Sequence, residues 1–418
     1  MDPLPKGDRS HFSRTFKIPH SIGGVGMVGG RMQDHYLGPS VSIPHIRGRI
    51  LRACLPIRGY LIPMPIDGKP IKGRGAATQV ANRFLQHSYG VVHWEGIDEV
   101  DEADQRTRYV IETAKTIVNK VNSPDLRFDW SMNPYQGCEH GCAYCYARPT
   151  HEYWGYSAGL DFERVVLVKR NAPDVLRKTL MDKKWIPAPI MLSGNTDCYQ
   201  PVERKERITR RMLEVCLEFR QPVAMITKNA LILRDLDLIS EMASMGIASV
   251  VISLTTLNED LRRVMEPRTS TGLNRVRTIE QLTKAGVPVF AMIAPVIPAL
   301  NESEIPALLQ AAADAGAVGA GYTVVRTNGA VKPVFDNWLH AHFPDRAAKV
   351  IAQVSAMHGG SMNDSTYGRR MKGEGEFART VKQIFHITHR RVFAGRVVPP
   401  LRIDLFQRPP EGQLYLFA

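Results

Sequence analysis

The stretch Asn133-Pro134-Tyr135-Gln136-Gly137-Cys138-Glu139-His140-Gly141-Cys142-Ala143-Tyr144-Cys145-Tyr146 carries three of the six cysteines in a chain of 418 residues. They are spaced C-x3-C-x2-C, and no fourth cysteine is near. Thiolates bind soft metals, and cysteines this close in sequence converge on one centre. Four thiolates would close a structural zinc site or saturate a four-iron cluster. Three on one tight loop leave one iron without a protein ligand, and an open iron is where a substrate or cofactor binds. The loop therefore reads as catalytic. Two other readings stay open: a zinc site completed by Cys54, Cys198, Cys216 or His140, and a cluster that only transfers electrons or senses.

Outward from this loop the chain alternates short apolar runs with helical ones from about residue 127. The runs are Phe128–Met132, Ile190–Leu192, Val223–Ile226, Ala248–Ile252, Val287–Ile293 and Gly321–Val325. Between them, Glu206–Phe219 places Ile208, Met212, Cys216 and Phe219 on one helical face. Leu233–Met245 and Asn274–Ala285 each stop at a glycine, Gly246 and Gly286. Asn301 with Glu304 reads as a capping-box start for a helix through Ala315. Six such units predict a parallel sheet with helices outside. Val165–Val168 is a seventh candidate strand without a place in that order. In a βα barrel, functional groups gather where strands end. Here the ends carry, in turn, the cysteine loop, Ser193–Asp197, Thr227-Lys228-Asn229, Ser253–Thr256, Ala294–Pro298 and Arg326-Thr327.

Residues 1–75 are broken by Gly and Pro without a sustained period, and read as an irregular or disordered basic extension. Met27, Met32 and Met64 each offer a later start. The glycines there form no phosphate loop, since no Gly-Lys-Ser/Thr follows. A pre-barrel segment over 76–125 includes an acidic patch from Asp98 to Asp104. The expected division is 1–75 extension, 76–125 pre-barrel segment, 126–330 barrel and 331–418 α-rich C-terminal cap. The formal charge is +13, but residues 1–80 alone carry +8, so the body is only mildly basic. No run of 18 apolar residues predicts a membrane span, and Met1–Lys6 lacks the apolar region of a signal peptide. Bunched cysteines argue against a disulfide scaffold and for a reducing, cytoplasmic setting.

The spacing C-x3-C-x-Tyr-C resembles that of the radical S-adenosylmethionine (SAM) enzymes. Asn-Pro-Tyr-x-Gly-Cys and Cys-Tyr-Ala-Arg are similar to the spore-photoproduct-lyase-like branch in particular. The resemblance covers roughly residues 125–330. It implies a partial (β/α)6 barrel of TIM type, a [4Fe–4S] cluster held by Cys138, Cys142 and Cys145, and SAM bound at the open iron. Reduction of the cluster would cleave SAM to a 5′-deoxyadenosyl radical that abstracts hydrogen. An electron donor such as flavodoxin or ferredoxin is implied as a partner, and the branch points to a nucleic-acid substrate.

Carried over by position, Tyr144 lies by the adenine. Ser193-Gly194-Asn195 replaces the Gly-Gly-Glu by which most members contact the SAM amino group. Lys228 matches the branch's lysine for the SAM carboxylate, and Ser253 its ribose-side serine. Cys198, five residues beyond Ser193, is either a hydrogen donor to the product or a packed thiol; photoproduct lyases carry their donor next to the serine. Glu266-Pro267-Arg268 and Arg275 either bind substrate or brace the barrel. Arg326, Arg369, Arg370, His389, Arg390 and Arg391 either neutralise phosphates or are solvated. Alternative readings are a radical SAM enzyme acting on RNA, a peptide or a metabolite, and an iron–sulfur redox sensor associated with nucleic acid.

Overall fold

The computed structural model describes residues 70–85, 106–126 and 128–410. Residues 1–69 of the expected extension, Cys54 and the Asp98–Asp104 patch lie outside the described residues. Among the described residues there are ten strands: β1 Arg108–Ile111, β2 Val118–Lys120, β3 Trp130–Met132, β4 Tyr135–Gln136, β5 Val165–Val168, β6 Ile190–Leu192, β7 Val223–Thr227, β8 Ala248–Ser253, β9 Val289–Val296 and β10 Gly319–Val324. The larger sheet runs β10-β9-β8-β7-β6-β3-β2. Its strands from β3 to β10 are parallel and neighbour one another in chain order, and β2 pairs antiparallel with β3. The six strands expected from sequence are the six parallel strands of this open sheet.

Side-chain alternation explains the register. In β7, Val223, Met225 and Thr227 are buried while Ala224 and Ile226 are half-buried, and β8 repeats this at Ala248, Val250 and Ile252. A one-residue slip would exchange the two sets. Between strands, helix Ile208–Glu218 buries Ile208, Met212, Val215 and Cys216. Helices Leu236–Ser244 and Gly272–Lys284 end at Gly246 (φ 72°) and Gly286 (φ 79°), left-handed positions that glycine takes without a Cβ penalty. Further helices, among them Val331–His342, Pro344–Met357 and Gly375–Val392, follow β10. The last of these packs on helix Ile305–Asp314.

Two expectations need amendment. Val165–Val168 is a strand, but of a second sheet ordered β1-β5-β4. Its four residues are all buried, so no alternation marks which sheet it joins. The capping box at Asn301 does not form: Asn301 makes no cap hydrogen bond, and a short 3-10 turn, Glu302–Glu304, precedes the helix. The Asn301 amide instead donates to the carbonyls of Thr255 and Pro295 (2.9 and 3.0 Å). Glu304 accepts from the Thr256 hydroxyl and the Leu257 amide. Asn301 thus ties the ends of β8 and β9 together, and Glu304 holds the loop after β8.

Candidate active site

The loop between β4 and helical turn Arg148–Trp154 places Cys138 and Cys142 in the interior and leaves Cys145 half-buried. All three are free thiols. Cys142 and Cys145 both push the Cys138 thiol upward, and Cys145 does the same to Cys142, so the three share one electrostatic neighbourhood. Burial is the main cause that pushes all three upward. The backbone amides of Asp197 and Ala147 work the other way, favouring the thiolate of Cys138 and of Cys145 respectively.

The loop is held from three sides. Fully buried Arg148 donates from Nε and Nη2 to the Cys142 carbonyl (3.1 and 2.8 Å) and pairs with the buried carboxylate of Glu163. Glu163 in turn accepts from the amides of Gly75 and Ala76 (3.1 and 2.9 Å). A Cβ on Gly75 would stand 1.8 Å from the Gly141 carbonyl oxygen, so only glycine allows this approach. From the far side, the Ala143 amide donates to the Met265 carbonyl (3.1 Å).

Sequence reading did not find the centre of the arrangement, Asp197. Its Oδ1 accepts from the Tyr199 amide and the Thr227 hydroxyl, both at 2.8 Å, and its Oδ2 from the Lys228 amide at 2.9 Å. His140 Nδ1 lies 3.3 Å from Oδ2, and His140 Nε2 lies 3.2 Å from the side-chain Nδ2 of Asn229. Burial alone would raise the Asp197 pKa, but His140 and these amides hold it below the ordinary carboxylate value. One carboxylate thus joins the cysteine loop to the loops that carry Ser193 and Lys228. The partners are tens of residues apart, so no local spacing advertises the knot.

The other candidates fall around it. Ser193 is buried with φ 71°, an uncommon conformation for a side-chain-bearing residue, and its hydroxyl accepts from the Cys198 amide (2.6 Å). Cys198 is fully buried in the main core, and burial is the largest cause raising its thiol pKa. The Gly194 carbonyl accepts from the Tyr146 hydroxyl (2.7 Å), and the Asn195 amide donates to Asn133 Oδ1 (3.1 Å). Buried Ser253 offers its carbonyl to Arg275 (3.1 Å).

Lys228 is half-buried, 5.9 Å from the centre of the Tyr144 ring, and its ammonium makes no hydrogen bond among the described residues. Burial works against its charge, but the Glu266 carboxylate together with Cys142 and Cys145 more than offsets this, so Lys228 titrates above the ordinary lysine value. Glu266 is the counter-charge of the site. It is fully buried, pairs with buried Arg275, and accepts from the Tyr144 and Thr255 hydroxyls. Burial opposes its ionisation, but Arg275 and Lys228 bring its pKa down to about 2. The Glu266–Arg275 segment therefore braces the site, and Arg275 faces no solvent.

Among the described residues no three His, Cys, Asp or Glu side chains converge on a single metal ion. The donor set does fit an iron–sulfur cluster with one iron left open. Three thiols lie on one loop and couple electrostatically, two backbone amides favour their thiolate forms, and the ammonium of a nearby lysine makes no hydrogen bond among the described residues. Cations bound there would reverse the upward push on the thiols.

The chain is similar to known proteins in sequence and in fold. A family model described as the radical SAM superfamily matches residues 132–312. An uncharacterised protein of Mycobacterium tuberculosis is 35% identical over 238 residues, 56% of this chain and 70% of its own length. An uncharacterised protein of Methanocaldococcus jannaschii is 29% identical over 191 residues, 46% of this chain and 68% of its own. Among solved structures, spore photoproduct lyase complexed with dinucleoside spore photoproduct matches with a TM-score of 0.51 at 16% identity. The match covers 72% of this chain and 86% of that one. At that identity the likeness is one of fold.

Proposed function

Since the chain belongs to the radical SAM superfamily and is an enzyme, we propose that it holds a [4Fe–4S] cluster on Cys138, Cys142 and Cys145 and binds SAM beside it. The open sheet then serves as the partial (β/α)6 barrel of that superfamily. When bound, the cluster and SAM supply a 5′-deoxyadenosyl radical for hydrogen abstraction, with the electron drawn from a donor such as flavodoxin or ferredoxin. Lys228 would pair with the SAM carboxylate, a charge-assisted contact for an ammonium without a hydrogen-bond partner among the described residues. The Ser193-Gly194-Asn195 turn would meet the SAM amino group, Ser253 the ribose and Tyr144 the adenine. Asp197 and His140 hold the three loops in register, and the Glu266–Arg275 pair keeps charge balanced beneath Lys228.

The observation that carries this reading is that the loop bearing the three thiols is tied, through His140 and Asp197, to the loop that carries Lys228. We propose damaged DNA or another nucleic acid as substrate, supported by the likeness of fold to spore photoproduct lyase complexed with dinucleoside spore photoproduct. No helix among the described residues is long and apolar enough to cross a membrane. Anaerobic reconstitution tests the cofactor assignment. The wild type should be brown, retain iron and sulfide after desalting, and bind SAM with an affinity that falls about tenfold or more in Lys228→Met. Colourless protein, or SAM binding unchanged in Lys228→Met, would sink it.

A further inference from the structure

Five arginines and His389 late in the chain bear on anion binding, and the structure separates them. Arg369 Nε is bonded to Asp364 at 2.7 Å. Arg370 donates to Asp125 (2.6 Å) and to the Ser123 hydroxyl (2.8 Å). The His389 ring packs between Phe385 and Phe393. Arg390 and Arg391 are exposed on helix Gly375–Val392.

Arg326 differs from all of them. It is half-buried just beyond β10, and among the described residues no carboxylate lies within ion-pair distance of it. The only hydrogen bond of its guanidinium among those residues goes to the Met371 thioether at 3.5 Å, a weak acceptor. Nearly all of its five donors are unspent, next to the residue that follows Cys145. Its Cζ lies 4.6 Å from the centre of the Tyr146 ring. Tyr146 is 48% exposed, and its hydroxyl bond to Gly194 fixes the ring in place.

A second stack adjoins the first. Arg370, one residue before Met371, lies 4.4 Å from the centre of the Tyr367 ring, and Tyr367 is 55% exposed. Asp125 holds Arg370 by Nε and balances one of the two charges. The result is a net-positive strip that begins beside the thiol loop at Tyr146, with two exposed tyrosine rings each backed by a guanidinium. Exposed aromatic rings stack on unpaired bases, and free guanidinium donors match phosphate oxygens. A carboxylate would satisfy Arg326 alone but leave both rings unused.

We propose that Arg326, with Tyr146, Arg370 and Tyr367, binds a nucleotide unit of single-stranded nucleic acid, Arg326 taking the phosphate and the tyrosines the bases. Placing this strip at a reaction centre rests on the radical SAM reading, but binding by the strip is measurable without it. The probe is a fluorescein-labelled single-stranded oligothymidine, titrated with the full-length reconstituted protein and followed by anisotropy across a salt series. R326Q should weaken binding about tenfold and lower the log–log salt slope by about one. R326K, which keeps the charge but not the fork, should fall between R326Q and wild type. Y367A, at an exposed ring, should lose about fivefold.

Oligonucleotide affinity unchanged in R326Q would overturn the proposal. So would a loss of SAM binding in R326Q, which would reassign Arg326 to the cofactor. Binding of an oligoglutamate peptide that R326Q abolishes, with the oligonucleotide unaffected, would replace phosphate by carboxylate and refute it too. A wild type that binds oligonucleotide but not SAM would instead sink the radical SAM reading and leave the strip standing.

Discussion

Replacing Glu266 by Gln preserves shape and removes one buried charge, with consequences that can be worked out from its surroundings. The carboxylate faces Arg275, Tyr144 and Thr255 and none of it reaches solvent. Its pKa falls from 4.5 to about 2 on folding, worth about 3 kcal/mol at neutral pH by linkage. Breaking a buried pair while leaving one ion behind costs about 3–5 kcal/mol, which agrees in size. Because the folded pKa is the depressed one, the stabilisation is complete above pH 4.5 and fades as pH falls toward 2. Urea unfolding of wild type and Glu266→Gln should therefore differ by about 3 kcal/mol at pH 7, and by less than half of that at pH 3. A gap below about 1 kcal/mol at pH 7, or one that does not narrow with acid, would refute the account of Glu266 as the buried counter-charge of Arg275 and Lys228.

Three further perturbations test the scaffold around the thiols. Asp197→Asn puts an amide N–H₂ where the carboxylate accepts from the Thr227 hydroxyl or the Lys228 amide; SAM affinity by anaerobic calorimetry should drop about tenfold, and an unchanged value would mean the knot does not position Lys228. Gly75→Ala drives a methyl against the Gly141 carbonyl, so iron retained after desalting should fall severalfold; full retention would show that the loop has slack. Arg148→Met strands buried Glu163 and strips two hydrogen bonds from the Cys142 carbonyl, and should lower unfolding stability by about 3–5 kcal/mol; a loss under about 1 kcal/mol in a urea titration would mean water replaces the pair.

What the sequence disclosed follows from the range of each signal. The parallel strands alternate or run apolar over a few residues, and helices between them end at Gly246 and Gly286, so period and punctuation sufficed. The cysteine loop is a local pattern in the same way. Residues whose partners are distant were not legible. Asp197 looks like any loop acid until the chain brings Thr227, Lys228 and His140 to it, and Gly75 looks idle until Gly141 arrives. Asn301 and Glu304 show the opposite failure. Their spacing copies a cap, yet the carbonyls and amides at the strand ends bind those side chains first. Arg326 was one of five arginines and a histidine by composition, and only the pairing of its neighbours singles it out.

The central claim is that three thiols and the Lys228 loop form one SAM-cleaving site. It is tested most directly by anaerobic incubation of reconstituted protein with SAM and dithionite, with 5′-deoxyadenosine quantified for the wild type and for Cys142→Ala. The account predicts 5′-deoxyadenosine from the wild type and none above background from Cys142→Ala. Equal amounts from both, or none from wild-type protein that retains iron and sulfide and binds SAM, would contradict it.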